Sequence, residues 1–219
     1  MNASRREPLA LLAVGLVALA VSGIGPKDRL TWFLEVAPVL IAVPLLVLTW
    51  RRFPLTPLLY RLILAHALIL MVGGHYTYAE VPLGFWVQDL FGLARNHYDR
   101  LGHFAQGFVP AILAREILQR KLPSVSGGWL FFLVVCVCLA FSAFYELLEW
   151  WMVIIFYPDK GPDWLGMQGD PWDAQGDMLL ALIGALLAVA LLSRLHDRSI
   201  SRLGARSPHP PAGSAPGPA

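Results

Sequence analysis

The sequence predicts an all-α, polytopic membrane protein of about six transmembrane helices with both termini cytoplasmic. Three observations carry this expectation. First, of 219 residues 57% are apolar and 15% charged, whereas an ordinary soluble domain carries about a quarter charged residues. Second, the charged residues leave long gaps: 19 residues between Glu7 and Lys27, 18 between Arg61 and Glu80, and 24 between Lys121 and Glu146. A run of about 18 or more apolar residues is long enough to cross the hydrocarbon core as a helix. Third, the bases fall on one side of the resulting topology. A soluble globule and a disordered chain are thereby excluded. The net charge of +2, with no basic stripe interleaved with aromatics, excludes a nucleic-acid surface.

Taken in order, the spans fall near 8–25, 31–50, 62–79, 100–119, 127–149 and 174–194. The first follows Arg5-Arg6 and could be read as a signal peptide. Pro8, standing where a twin-arginine signal prefers a large apolar residue, and the length of the run from Leu9 to Ile24 favour an uncleaved helix. The third and fifth spans fill complete gaps. The second, fourth and sixth rest on shorter gaps, Val36 to Trp50, Leu101 to Ala114 and Met178 to Ser193, and extend into charged residues at one end. From about Arg198 the chain turns to Ser, Pro, Gly and Ala, which bury too little surface to order themselves. The organisation expected is one transmembrane domain over 1–195 and a disordered cytoplasmic tail over 196–219. Cys136 and Cys138, two apart on a helix, face different ways and read as apolar packing.

Loop charge tests the count independently. Segments sharing a side with the N-terminus hold twelve Lys and Arg, among them Arg5, Arg51, Arg61, Arg115, Arg120 and Arg194, and the opposite loops hold five. Lys- and Arg-rich short loops stay cytoplasmic, which places both termini on the cytoplasmic side. Acids distribute in the opposite sense. Only Glu7, Glu116 and Asp197 fall on the cytoplasmic side, and the other twelve of fifteen belong to outer loops or outer helix ends.

Several of those acids lie inside helical patterns. The fourth span opens HYDRLGHFAQGF from His97 to Phe108, with Asp99 and His103 four apart on one face. The fifth ends FYELLEWW from Phe144 to Trp151, with Glu146 and Glu149 three apart in an apolar setting where an unpaired carboxylate costs several kcal/mol. The sixth opens GDPWDAQGDM from Gly169 to Met178, with Asp173 and Asp177 four apart. Alternating helix direction and short connections bring these three ends together into one outer-face acidic pocket. The end of the third span adds His75, Tyr76 and Glu80 as possible pocket residues, and His97 and Arg100 join them from the fourth. Each member has a bland reading too. Asp173 and Asp177 could cap a helix start, Asp99, Arg100 and Arg95 could form interfacial salt bridges, and His66, alone in the inner half of the third span, reads as a hydrogen-bonded core residue. Trp86, Trp150, Trp151, Trp164 and Trp172 fit an interfacial aromatic belt.

The segments GGHYTYAEVPLGFW, RNHYDRLGHFAQGFVPAILARE, FYELLEWW and DAQGDMLLALIGA, in this order, resemble the YjdF family of bacterial inner-membrane proteins. The likeness covers nearly the whole chain except the tail. It implies an inner-membrane location and no particular reaction. More distantly, an Asp-basic-x-x-His-Phe segment, a Glu-containing helix and an Asp-led helix are similar in order to VanZ-like membrane proteins, a family linked to resistance against teicoplanin-type glycopeptides. The sequence departs from that pattern at Ala181, where an Asn is expected four residues after Asp177.

Three functional classes remain open. In an enzyme acting at the outer leaflet on a lipid-linked or headgroup substrate, His103 is base or ligand, Glu149 and Glu146 are ligand or acid, and Asp173 and Asp177 are ligands or orienters of His103, with His103, Glu149 and Asp177 the candidate catalytic residues. Asp99, His103, Glu146, Glu149, Asp173 and Asp177 are then the candidate ligands of a divalent metal, Mg, Mn or Zn. A non-catalytic protein would use the polar cluster to lock helices or bind a partner. An ion- or proton-coupled transporter is disfavoured because no internal repeat is found and Trp129 to Ala143 and Leu179 to Leu192 contain no charge. Oligomeric state is left open by the sequence.

Overall fold

In the computed structural model, residues 3–156 and 167–204 are described. Among them the chain is all-helical. Seven α-helices follow one another: α1 (Ala3–Ser22), α2 (Arg29–Thr49), α3 (Pro57–Tyr76), α4 (Pro82–Phe91), α5 (Tyr98–Lys121), α6 (Gly127–Phe156) and α7 (Asp173–Gly204). Four of these, α2, α3, α6 and α7, are long and apolar enough to cross a membrane by themselves. The starts follow local chemistry. Asp28 caps α2 by accepting from the Thr31 N–H at 2.7 Å, and Thr56 caps α3 ahead of Pro57, which needs no donor at a first helical position.

The remaining long helices have clear reasons for missing that standard. The apolar part of α1, from Pro8 to Ser22, follows a charged first turn and measures about 22 Å at about 1.5 Å per residue. α5 carries Asp99, Arg100, Arg115 and Glu116 within its length, yet it is the most enclosed element, with His103, Ala105, Gly107, Ala111, Ile112 and Glu116 buried. It packs against α3, α6 and most extensively α7. Polar residues on α5 therefore face protein rather than lipid.

Small residues let α5 and α7 approach backbone to backbone. A Cβ on Gly107 would collide with the carbonyl of Ala181, and one on Gly184 would meet the Phe104 carbonyl and the Phe108 amide. Ala111, Ala181, Ala185 and Ala188 along the same contact are fully buried. Such small-residue seams are the usual means of tight helix association where lipid supplies no hydrophobic drive. Ala181, where the distantly similar pattern has Asn, is one of the residues that permit this approach.

The sequence did not anticipate α4, a short helix with Trp86 and Phe91 exposed and a left-handed Gly92 at its end. The expected tail boundary at 196 is also passed, because α7 continues as helix to Gly204. Residues 205–219 lie outside the described residues, as do Asp159, Lys160, Asp163 and Trp164. Cys136 is exposed and Cys138 buried, on different sides of α6.

Two ends can be told apart by chemistry. At one, Ser22, Trp32 and His75 join α1, α2 and α3: Trp32 Nε1 donates to Ser22 Oγ at 3.1 Å and His75 Nδ1 donates to the Ser22 carbonyl at 2.9 Å. The starts of α5 and α7 lie at this acidic end. At the other, basic end, Arg61 Nε pairs with Glu7 at 2.6 Å, and Glu116 near the end of α5 meets Thr56 at the start of α3, with His196 of α7 joining Glu116.

Candidate functional site

The acidic end gathers carboxylates from four helices, α2, α5, α6 and α7, and a connecting segment. His103 is its centre, one turn into α5, with its side chain 8% exposed. On one side of the ring, Nε2 lies 3.4 Å from Asp99 Oδ1 and 3.8 Å from Asp177 Oδ1. On the other, Nδ1 lies 3.7 Å from Glu146 Oε1. Asp99 and His103 share a face because they are four apart, and the close α5–α7 seam brings Asp177 onto them.

Carboxylate oxygens of Asp99 and Asp177 lie within 4.8 Å of each other, and a proton or a cation between them would relieve their repulsion. Ligand atoms of Asp99, His103 and Asp177 all lie within 4.8 Å of one another, the spacing of a potential metal triad. A tetrahedral ion with bonds of about 2.1 Å separates its ligand atoms by about 3.4 Å. The His103 distances of 3.4 and 3.8 Å are close to that separation, and an ion there would share Asp177 Oδ1 with Arg100. With Nε2 as ligand, Nδ1–H would face Glu146, the arrangement in which a carboxylate orients a metal-bound imidazole.

Arginines hold the acids that lie farther out. Arg100 Nη1 donates to Asp177 Oδ1 and to the Asp173 carbonyl, and Nη2 reaches Asp170 at 3.0 Å and Asp173 at 2.9 Å. Arg95 adds Asp170 at 2.8 Å and Asp173 at 3.4 Å. Asp173 is thus turned to the two arginines, and Asp177 is shared between Arg100 and His103. The Trp172 backbone N–H, with Arg95 and Arg100 beside it, holds the Asp170 carboxyl below the usual range. Burial, followed by the charges of Arg95 and Arg100, pushes His97 down. The crevice between Arg95, His97, Asp99, Gln168 and Asp173 leaves no room for a water molecule.

Other expected members lie elsewhere. His75 is bonded to Ser22, Tyr76 stacks edge-on to it at 4.7 Å and is exposed, and Glu80 pairs with Lys27 across the α1–α2 connection. These three face the α1–α3 side and do not join the His103 cluster. His97 precedes α5 and lines the crevice. Glu149 stands one turn beyond Glu146 and interacts electrostatically with Glu146, Glu35 and His103. His66 was expected to be hydrogen-bonded. Its buried Nε2 has no partner among the described residues.

Glu35, Tyr78 and Tyr145 belong to the cluster and were not singled out. The Glu35 carboxylate lies among Tyr78, Tyr145, Asp99 and His103 and interacts with all four. Glu35 is the one charged residue between Leu30 and Trp50, a signal the sequence did offer. Tyr78 follows Thr77, whose φ of +61° turns the chain so that the ring packs on Gly73 and Gly102. No side chain larger than hydrogen fits at either glycine.

A polar cluster at the basic end provides a comparison. Glu116, fully buried on α5, accepts from Thr56 N at 3.0 Å, Thr56 Oγ1 at 2.7 Å, His196 Nε2 at 3.0 Å and Arg120 Nη1 at 2.8 Å. Arg115 Nη1 lies 3.0 Å from His196 Nδ1. Since guanidinium only donates, Nδ1 must accept, which leaves Nε2–H to donate to Glu116. Each polar atom has its partner, as a helix-locking network requires. The His103 cluster differs, because buried His103 Nδ1, Glu146 Oε1 and Ser142 Oγ have no hydrogen-bond partner among the described residues.

Comparison with known proteins identifies a membrane-protein family. A family model described as "Predicted membrane protein (DUF2238)" matches residues 7–198. The chain is 56% identical over 201 residues to the inner membrane protein YjdF of Escherichia coli (strain K12), covering 90% of this chain and 96% of that protein. No solved structure matches. The chain belongs to the DUF2238 family of predicted membrane proteins, in which YjdF is a relative, as its four motifs suggested.

Proposed function

We propose that the protein is an inner-membrane enzyme with a divalent-cation centre at Asp99, His103 and Asp177, acting on a lipid headgroup or lipid-linked substrate at the outer leaflet. The observation that carries this reading is the convergence of two carboxylates on His103 Nε2. Seven carboxylates, Glu35, Asp99, Glu146, Glu149, Asp170, Asp173 and Asp177, stand against Arg95, Arg100 and His103, so protons or a cation must balance the surplus. One imidazole with two carboxylates suits Zn or Mn better than Mg. Such an ion polarises an oxygen or activates water. His103 and the two aspartates hold it, Glu146 orients His103, and Glu149 serves as general acid or base. The reading includes six crossings with both termini cytoplasmic. Supporting it are the accumulation of bases at one end and the enclosure of α5 by its neighbours.

A second reading has its own observation. Arg95 and Arg100 tie Asp170, Asp173 and Asp177 together under a closed crevice, as a structural lock between α5 and α7 would. Reconstitution separates the two. Parent and His103→Gln are each placed in vesicles of bacterial lipid extract with Zn or Mn, and lipid species are compared by mass spectrometry. An enzyme alters a headgroup species in the parent sample alone. Identical lipid profiles with both ions contradict the enzymatic reading and leave the lock.

A further inference from the structure

At the basic end, between the end of α5, the start of α6 and the middle of α7, lies a cavity of about 340 Å³. That volume is within the range of ligand pockets, about 300–1,000 Å³. Its floor is apolar, with Leu130 and Val134 buried and Val189 half-buried, and its mouth carries the partly exposed Gln119 and Ser193 beside Arg115, which is buried and bonded to Gln119, His196 and Asp197. Phe131, on its wall, is 44% exposed on a helix long and apolar enough to span a membrane, so the cavity borders the lipid phase.

The charge around it is positive. Arg115, Arg120, Lys121, Arg194, Arg198 and Arg202 belong to this end. Of its acids, Glu116 is taken by Thr56, His196 and Arg120, Glu7 pairs with Arg61, and only Asp197 reaches the mouth, where it meets Arg115 Nη2 at 2.8 Å. An amphipathic ligand with one apolar chain and an anionic head matches both halves. Basic pockets between transmembrane helices are recognised sites for anionic lipid headgroups.

We infer that this cavity binds an anionic phospholipid, with one acyl chain along Leu130, Val134 and Val189 and the phosphate at the Arg115–Gln119 mouth. The site is at the opposite end from His103 and does not depend on the reading given above for that cluster. The test uses the full chain in neutral detergent. Lipid retained per chain is counted by native mass spectrometry with phosphatidylglycerol or with phosphatidylcholine of the same acyl chains. Thermal unfolding is followed in parallel. Retention of one phosphatidylglycerol, at least tenfold tighter than phosphatidylcholine, is expected. Val189→Trp, which fills the cavity, and Gln119→Glu, which adds a negative charge at its partly exposed mouth, should each weaken phosphatidylglycerol at least tenfold. Gln119→Glu leaves the apolar core untouched, so it decides the matter if Val189→Trp fails to fold. Equal retention of the two lipids, parent-like retention by Gln119→Glu, or the same thermal protection from inorganic phosphate alone overturns the proposal.

Discussion

Arg100→Met is the most informative single perturbation of the acidic end. The guanidinium reaches Asp170, Asp173 and Asp177 at once, and the side chains of Asp173 and Asp177 are only 9% and 4% exposed. Removing one partner of a buried ion pair costs about 3–5 kcal/mol, because the remaining charge is left without compensation. Arg100 keeps 17% exposure, which lets water recover part of the loss and favours the lower end, about 3 kcal/mol. For a chain of this size each kcal/mol moves the unfolding midpoint by about 2–4 °C, so the expected fall is about 6–12 °C. Methionine retains the apolar stem of the side chain, so lost packing contributes little. Adding Asp177→Asn removes the stranded charge and should return about a third to a half of the loss. Thermal unfolding of the detergent-purified protein, followed by intrinsic tryptophan fluorescence, measures both variants. A fall under 2 °C, or a double variant less stable than Arg100→Met, would refute the reasoning.

The other predictions concern separate parts of the molecule. Glu116→Gln exchanges an acceptor of four hydrogen bonds for a group with only one acceptor oxygen, and should cost about 3 kcal/mol by the same unfolding assay. Gly107→Ala forces α5 and α7 apart at the Ala181 carbonyl and should cost about 1–3 kcal/mol. Gly128→Ala, whose Cβ meets only open space, should be neutral or stabilising by up to about 1 kcal/mol. For Asp170, depressed in the folded protein by the Trp172 N–H, Arg95 and Arg100, stability is gained above the ordinary aspartate value of about 3.9 and lost as pH falls through the lower folded value. Asp173 shares the same two arginines. The difference in unfolding midpoint between parent and Asp170→Asn should therefore stay constant from about pH 7 to pH 5 and close below about pH 4. A difference that closes above pH 5 contradicts the assignment.

Charge spacing told the helices apart because lipid tolerates few charges, and gaps such as Lys121 to Glu146 leave little choice of element. The meeting of Asp99, His103, Glu146 and Asp177 was legible for the same reason: helical periodicity fixes their faces and alternating direction fixes their level. What sequence could not supply was pairing. Which acids the arginines take depends on the depth of the α5–α7 seam, set by Gly107, Ala181 and Gly184. Asp173 consequently lies with Arg95 and Arg100, whereas Asp177, one turn deeper, reaches His103. Glu35 passed unnoticed because its partners are tyrosines from two distant segments. His75 and Glu80 were drawn toward the pocket by level alone, but residues at one level can face opposite sides of a bundle. The Glu116–His196 network was hidden inside two ordinary basic helix ends.

The central claim is that Asp99, His103 and Asp177 form a cation centre, and equilibrium dialysis of the purified full chain against Zn or Mn tests it most directly. The account predicts one bound ion per chain, loss of at least tenfold in affinity for Asp99→Asn and His103→Gln, and parent-like binding by Glu149→Gln. Absence of a stoichiometric ion with both metals, or binding unchanged in Asp99→Asn and His103→Gln, contradicts it and leaves the cluster as a structural lock.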